Sequence, residues 1–167
     1  MDDKIAVYVG TYAKYNNGSL EGEWVDLDDY DNYDDFIKKC LDIHSDEEEP
    51  ELMFQDYEGF PKEFYSESAI DKELFEYLAL DDKEKEILEA FIDCHGYNYD
   101  YSLGVYYDAY IGKYESLEEL AEEFIEQGLF GDVPENLYHY LDYEKIARDL
   151  SYDYTHHTTG HVFCDHW

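Results

Sequence analysis

Positively charged side chains are scarce in this sequence. Its 167 residues include 11 Lys and Arg against 44 Asp and Glu, and the formal net charge at pH 7 is −33. Proteins that bind nucleic acid use Lys and Arg to neutralise phosphates, and anionic membrane surfaces likewise attract basic segments. The composition therefore argues against a nucleic-acid-binding protein and against one that docks on an anionic membrane.

Long apolar runs and paired cysteines are also missing. No stretch of about 18 apolar residues occurs, which is the length that a membrane-spanning helix needs. The opening MDDKIAVYVG lacks the apolar core of a signal peptide. Cys40, Cys94 and Cys164 are odd in number and far apart, which is typical of free thiols in a reducing compartment. We expect a cytoplasmic protein.

Motifs for nucleotide, redox or acid–base chemistry are missing as well. There is no glycine-rich phosphate loop and no C-x-x-C pair. Acid–base catalysis needs two carboxylates whose pKa values are pushed apart, and no pair stands out among so many. We predict that the protein is not an enzyme and uses no cofactor.

Two patterns raise the question of a metal site. The runs Asp26–Asp31 and Asn98–Leu103 begin like an EF-hand loop, but Asp and Leu stand where its sharp turn needs glycine. The tail THHTTGHVFCDHW offers zinc-type ligands, yet their spacing matches no common zinc motif. We predict no dedicated metal site and a polar terminal hairpin with exposed histidines, while a metal role for this tail stays open.

Aromatic residues, by contrast, are abundant. The sequence has 20 Tyr, 9 Phe and 2 Trp, and 44% of its residues are hydrophobic, which is too many for a chain kept disordered by its charge. Six tyrosines cluster between residues 97 and 110. Tyrosine suits thin cores, where its ring is buried and its hydroxyl stays wet, and it is also enriched at protein interfaces. Both interpretations are open for this cluster.

Acidic residues are spread over the whole chain. Turn signals after Pro61 and Gly104 divide it into segments 1–61, 62–104 and 105–167, with net charges of −14, −8 and −11. Self-repulsion on this scale destabilises a compact state and should be weaker in small units set in a row. We therefore predict an α+β protein built as an elongated chain of three small domains.

Each segment has its own pattern. Alternation at Ile5–Val9, a strand near Trp24, a helix over residues 36–44 and a strand over Leu52–Tyr57 predict an N-terminal α/β domain with an antiparallel sheet. From Ser68 onward, apolar residues at helical spacing predict a small helical middle domain. The third segment is mixed α/β. Residues 106–111 fit a short strand or a helix end, and Val162–Phe163 fits an edge strand.

The clearest single element is a helix over residues 116–127. Its apolar positions recur at i, i+3, i+4, i+7 and i+8 from Leu117. Ser116 and Glu119 have the spacing of a capping box, and Gly128 follows the last periodic residue. The opposite face holds five glutamates and no basic residue. Three pairs of these glutamates stand four residues apart, and each should cost roughly 0.2–0.5 kcal/mol of helix stability.

The net charge of the chain is comparable to the charge of a long DNA-binding site. Duplex DNA carries about one charge per 1.7 Å, so 33 charges at that density correspond to roughly 55 Å of duplex. A dimer would correspond to roughly 110 Å. An acidic protein with a fixed shape could therefore fill a groove that is lined with Lys and Arg for DNA.

The sequence also resembles a known family, the ArdA antirestriction proteins of plasmids, conjugative transposons and phages. The stretches DAYIGKYESLEELAEEFIE (108–126) and VPENLYHYLDYEKIARDL (133–150) carry the resemblance. The opening IAVYVGTYAKYNNGSLEGEWVDL (5–27) and LMFQDYEGFP (52–61) support it. The His-rich end of the chain departs from what we expect of this family.

The resemblance implies an elongated, curved protein with an N-terminal α/β domain (1–61), a central helical domain (62–104) and a C-terminal domain (105–167) through which it dimerises. Such a protein would imitate bent B-form DNA in the DNA-binding cleft of type I restriction–modification enzymes, and so block restriction and modification. The alternative is an acidic chaperone for basic DNA-binding proteins. The candidate phosphate-mimicking carboxylates are Asp28, Asp29, Asp31, Asp34, Asp35, Glu47, Glu48, Glu49, Glu118, Glu119, Glu122, Glu123 and Glu126.

Overall fold

The structure of the protein, a computed structural model, describes residues 3–97 and 102–167, and only the backbone of residues 102 and 103. The chain divides into two compact units, Met1–Ala79 and Leu80–Trp167. Each combines helices with a three-stranded antiparallel sheet, so the predicted α+β class is confirmed. The arrangement in three domains, with boundaries after Pro61 and Gly104, is not confirmed by this division and stays a prediction.

The first unit is built around a sheet with the strand order β2–β1–β3. In chain order its elements are β1 (Ala6–Thr11), α1 (Tyr12–Asn16), β2 (Glu23–Asp26), α2 (Tyr33–Ile43), β3 (Leu52–Glu58) and α3 (Leu74–Leu78). The three predicted strands and the predicted helix are therefore present. The short helices α1 and α3 add to them.

Helix α2 covers one face of this sheet. Phe36 on α2 is fully buried, and its ring stacks on that of Phe54 with the centroids 6.2 Å apart. Phe54 lies opposite Val9 in the sheet register, and opposite residues of an antiparallel pair share a face. The core of the first unit therefore lies on the Val9 side of the sheet, while the other side carries Tyr8 and Trp24.

The segment after Pro61 differs from its prediction. A continuous helical pattern was expected from Ser68, but Tyr65 and Ile70 form an antiparallel bridge, and the helix that follows has only five residues. Ile70 and Leu74 are buried, as their spacing suggested. Apolar residues four apart fit one helical turn, but they fit a bridged turn followed by a short helix equally well.

The second unit has longer helices and the sheet order β4–β6–β5. Its elements are α4 (Asp82–His95), α5 (Ser102–Ala109), β4 (Tyr110–Lys113), α6 (Leu117–Glu126), α7 (Tyr143–Leu150), β5 (Tyr154–His156) and β6 (His161–Cys164). Residues 106–111, where strand and helix were both open, contain the end of α5 and the start of β4. A 3-10 helix, Glu135–Tyr140, precedes α7.

Helix α6 matches its prediction closely. Leu120, Ala121 and Ile125 are buried, and the Ser116 hydroxyl accepts a hydrogen bond from the Glu119 N–H at 3.2 Å. Gly128 follows the helix with φ at +73°, a conformation in which a side chain would be strained. The apolar stripe packs into a core with Leu150 of α7 and Val162 of β6.

Strand β6 corrects another prediction. Val162 and Phe163 were expected on an edge strand, but β6 is the central strand and pairs with β4 on one side and β5 on the other. Both residues are fully buried. His161 beside them is only 2% exposed, so the expectation of merely exposed tail histidines is wrong for this residue.

The described tyrosines of the cluster differ in burial, and the interface interpretation stays a prediction. Tyr106 is 3% exposed and belongs to the core, whereas Tyr107 is 67% exposed. Tyr99 and Tyr101 lie outside the described residues. No helix among the described residues has both the length and the apolar character to cross a membrane.

Since Leu120 anchors α6 in its core, we expect Leu120→Ala to lower the free energy of unfolding by about 2–5 kcal/mol, as buried leucines do when a cavity is left behind. Leu129 is 62% exposed just beyond the same helix, and Leu129→Ala should change stability by less than about 0.5 kcal/mol. Urea unfolding followed by circular dichroism measures both. Equal effects would show that α6 does not pack as described.

Candidate functional site

The acidic face of α6 is the most regular charged surface among the predicted sites. Glu119, Glu122 and Glu126 are exposed, and Glu118 and Glu123 are half-buried. The helix rises about 1.5 Å per residue, so the five carboxylates extend over about 12 Å of its axis. That is one negative charge per about 3 Å, close to the value of about 3.4 Å for one strand of duplex DNA.

Two of these five carboxylates also hold local structure. Glu119 Oε2 accepts a hydrogen bond from the Glu115 N–H at 2.7 Å, which helps to fix the start of α6. Glu123 Oε1 accepts one from the Gln127 side chain at 2.8 Å. Burial, together with a hydrogen bond to Glu123 and nearby carboxylates, raises the pKa of Tyr114 to about 12. Glu118, Glu122 and Glu126 remain as the carboxylates of α6 best suited to an external partner.

A second acidic group surrounds the start of α2. Asp28, Asp29, Asp31, Asp34 and Asp35 are all exposed. Asp34 and Asp35 lie in the first turn of α2, where the helix dipole favours negative charge. The helix dipole therefore offsets part of the repulsion among the carboxylates of this group.

Asp35 is held further by the helix cap. The Asn32 side chain accepts a hydrogen bond from the Asp35 N–H at 2.9 Å and donates one to Asp35 Oδ2 at 2.8 Å. A structural role thus competes with a binding role at this position. The local signal for this role is Asn32, a favoured N-cap residue that stands three positions before Asp35.

The third predicted group follows α2. Glu48 and Glu49 are exposed, but Glu47 is half-buried. Its Oε1 accepts a 2.6 Å hydrogen bond from the hydroxyl of Thr11, whose residue is fully buried. Because removing an acceptor from a buried donor is costly, Glu47 has a structural role that the acidic run D-E-E-E did not reveal.

Lysine ion pairs occupy other carboxylates. Among the described residues, Lys14 pairs with Asp46 at 3.0 Å, Lys113 with Glu86 at 3.2 Å and Lys145 with Asp142 at 3.7 Å. None of the predicted phosphate-mimicking carboxylates takes part in these three pairs. The predicted groups therefore keep their negative charge available to a basic partner.

The tail histidines bind carboxylates and a carbonyl of the same unit. His161 Nε2 lies 2.8 Å from Glu86 Oε1, and His166 Nε2 lies 2.9 Å from Asp153 Oδ1. His157 lies 3.2 Å from Asp93, and His156 Nε2 lies 2.8 Å from the Tyr114 carbonyl. Within the described ranges of the chain, no group of three or more His, Cys, Asp or Glu side chains is arranged so that it could hold a metal ion.

A comparison of the chain with models of protein families gives its family. The family described as "Antirestriction protein (ArdA)" matches residues 7–165. The chain belongs to the ArdA family of antirestriction proteins. A comparison with curated proteins found no match. The match spans both compact units, so the ArdA assignment applies to nearly the whole chain and confirms the family resemblance.

Membership of the ArdA family gives the chain an antirestriction function, and therefore a connection with restriction enzymes. The surface contributed by the acidic groups is compatible with it, since restriction enzymes are DNA-binding proteins and use basic grooves. The role of each predicted carboxylate stays a prediction.

The Glu86 contacts generate a test of the tail in this ArdA protein. The hydrogen bond from His161 is the largest cause that lowers the pKa of Glu86 below its ordinary 4.5, and the hydrogen bond from Lys113 is the next. A carboxyl with a depressed folded pKa stabilises the fold above its ordinary pKa, and that stabilisation is lost as the pH falls through the folded value. We expect Glu86→Gln to lower the urea midpoint at pH 7, and the difference from wild type to shrink as the pH falls below 4.5 and through the lowered pKa of Glu86.

Glu122→Gln is the matched control. It removes the same charge from an exposed position beside Glu118 and Glu126, and so relieves repulsion instead of breaking hydrogen bonds. It should leave the midpoint at pH 7 unchanged or slightly raised. If both variants behaved alike, the contacts among Glu86, His161 and Lys113 would have no role in stability.

Proposed function

We propose that this ArdA protein inhibits type I restriction–modification enzymes by imitating DNA. Its surface carboxylates take the place of phosphates in the DNA-binding cleft of the methyltransferase core, and both restriction and modification of incoming DNA are blocked. The observation that carries the proposal is the α6 face, where five carboxylates reach the linear charge density of one DNA strand and no Lys or Arg interrupts them.

A charge of this size favours binding to a basic cleft through many contacts over binding through one localised contact. Each exposed carboxylate contributes a small, screened attraction, because water weakens the field of a surface charge. Many such contacts sum to a tight and salt-dependent complex. The proposed set comprises the acidic residues of α6, the group around the start of α2 and the run after α2.

The proposed inhibitor is a dimer that acts in the cytoplasm. The protein acts as a homodimer through its C-terminal domain, as an elongated row of small domains that follows the path of bent DNA. It works in the cytoplasm, where restriction enzymes meet incoming DNA. It is a stoichiometric inhibitor that uses no catalytic residue, cofactor or metal.

Competition with DNA tests the proposal directly. A labelled duplex carrying the recognition site is bound to a purified type I methyltransferase, and the protein is titrated against it while fluorescence anisotropy is followed. We expect displacement at a near-stoichiometric dose, because both ligands use the same basic cleft. An unrelated basic DNA-binding protein serves as the comparison and should release its DNA much less readily.

The comparison protein separates the two functions under consideration. An acidic chaperone for basic proteins would strip DNA from both proteins to a similar degree. If DNA stayed on the methyltransferase at a large excess of inhibitor, DNA mimicry in its cleft would be wrong.

The α6 face supplies the variant for the same assay. Changing Glu118, Glu122 and Glu126 together to Gln should weaken displacement strongly, whereas each single change should weaken it only slightly. The triple variant loses two like-charge pairs and should be about 0.4–1 kcal/mol more stable at low salt. Weaker inhibition therefore could not be attributed to unfolding.

A second triple variant controls for net charge. Glu135, Glu144 and Asp149 are exposed in the same unit but lie outside α6. Changing them to Gln, Gln and Asn removes the same three charges, and displacement should fall less than in the α6 variant. Equal losses would show that total charge matters and the α6 face does not.

A further inference from the structure

The sheet of the first unit has an outer face that the acidic-surface proposal does not use. Tyr8 of β1 lies opposite Trp24 of β2 and Asp56 of β3 in the register. Directly opposite residues share a face, so these three side chains form one row across the sheet. The row lies on the side away from α2, since Val9, the neighbour of Tyr8, faces the core.

The aromatic members of this row are held in place but remain accessible. The rings of Tyr8 and Trp24 meet edge to face, with their centroids 5.6 Å apart at an angle of 72°. The Tyr8 hydroxyl donates a 2.8 Å hydrogen bond to the Leu20 carbonyl, which ties the loop before β2 to the sheet. Trp24 is nevertheless 42% exposed, and Leu20 is 66% exposed.

Carboxylates lie on the same sheet face as this aromatic pair. The next row on the same face is Asp26, Ala6 and Glu58, so a small residue stands between two acids. Asp26 and Asp56 each use one carboxylate oxygen to accept a neighbouring backbone N–H, at 3.1 and 2.8 Å. Glu58 is exposed. A planar cation that carries N–H groups can stack on the exposed indole ring and donate hydrogen bonds to carboxylates of the same face.

The Trp24 ring already has a cation of the same chain over its face. The Lys4 ammonium lies 5.7 Å from the centroid of the Trp24 ring. In the described part of the chain, Lys4 has no salt bridge within 4.0 Å, although acids stand on the same sheet face. Its ammonium therefore takes the π face of Trp24, a favourable position for a cation.

We propose that this outer face is a contact surface for an arginine side chain of a basic protein partner. The guanidinium stacks on Trp24 in place of the Lys4 ammonium and donates hydrogen bonds to the neighbouring carboxylates. This inference rests on the proposed function for the identity of the partner, namely the DNA-binding groove of a restriction enzyme. It adds a contact that phosphate imitation alone does not supply.

Arginine fits this surface better than lysine does. Its guanidinium is planar, stacks on aromatic rings and presents several N–H donors in a fixed fork, whereas an ammonium is a strongly hydrated point charge. Carboxylates alone would attract both cations through the same screened field. A preference for arginine that depends on Trp24 is therefore the signature of this site.

Short basic peptides test the surface without any restriction enzyme. Fluorescein-labelled hexa-arginine and hexa-lysine are titrated with the full chain, and anisotropy gives the two affinities. We expect hexa-arginine to bind more tightly. Trp24→Leu should lower the affinity for hexa-arginine by about 2- to 5-fold, the size of an exposed cation–π contact. It should also remove most of the preference for hexa-arginine over hexa-lysine. Trp24→Phe keeps a ring and should retain part of it.

Lys4 provides an independent measurement that leaves Trp24 intact. Lys4→Ala frees the ring and should strengthen hexa-arginine binding more than Lys62→Ala, which removes the same charge from an exposed position in the same unit. In a Trp167→Phe background, where Trp24 is the remaining tryptophan, hexa-arginine should quench the emission more than hexa-lysine does. These two measurements keep the test decisive even if Trp24→Leu proves unstable.

The results separate this inference from the proposed function. Equal affinity for the two peptides, or equal effects of Lys4→Ala and Lys62→Ala, would overturn the arginine site whatever happens with DNA. A Trp24-dependent arginine preference would support the site even if the protein failed to displace DNA from a methyltransferase. In that case the partner would be a basic protein other than the proposed enzyme.

Discussion

Mutual repulsion among carboxylates is the constraint on which this structure depends. A net charge of −33 is held on two units whose cores are small, and the apolar stripe of α6 shows how that is possible. Full burial of a leucine side chain contributes about 1.5–3 kcal/mol, whereas each pair of glutamates four residues apart costs about 0.2–0.5 kcal/mol. A few buried residues, such as Leu120, Leu150 and Val162, therefore outweigh the repulsion on the opposite face and keep its charges at a fixed spacing.

The fold places many acids where a helix begins. Asp81 and Asp142 cap α4 and α7 through hydrogen bonds to backbone N–H groups, and Asp34 and Asp35 lie in the first turn of α2. Negative charge is favourable at all of these positions because of the helix dipole. Carboxylates at helix starts therefore stabilise the protein while they add to its charge. The acids of mid-helix positions, such as Glu122, bring no such compensation. These uncompensated acids are the ones to which the proposed DNA imitation assigns a binding role.

Local signals made α6, its Ser116 cap and the first three strands predictable, since periodicity and capping depend on residues close in sequence. Long-range pairing was the harder part. Nothing near Val162 reveals that β6 is paired on both sides, and the burial of His161 follows from that central position and from Glu86 on a distant helix. In the sequence Glu47 is one member of an acidic run, but its partner Thr11 is 36 residues away. The family was identified from sequence stretches that span the chain, whereas individual site residues require the folded contacts.

The proposed imitation of DNA requires a complex that is held together by many charges, and the salt dependence of that complex tests it most directly. The association constant of the protein with a purified type I methyltransferase can be measured between about 50 and 200 mM salt, a range over which contacts to 6–10 phosphates lose about 10³- to 10⁵-fold in affinity. DNA imitation predicts a comparably steep loss of affinity, similar to that of a DNA duplex on the same enzyme. An affinity that stayed constant over this range would contradict it.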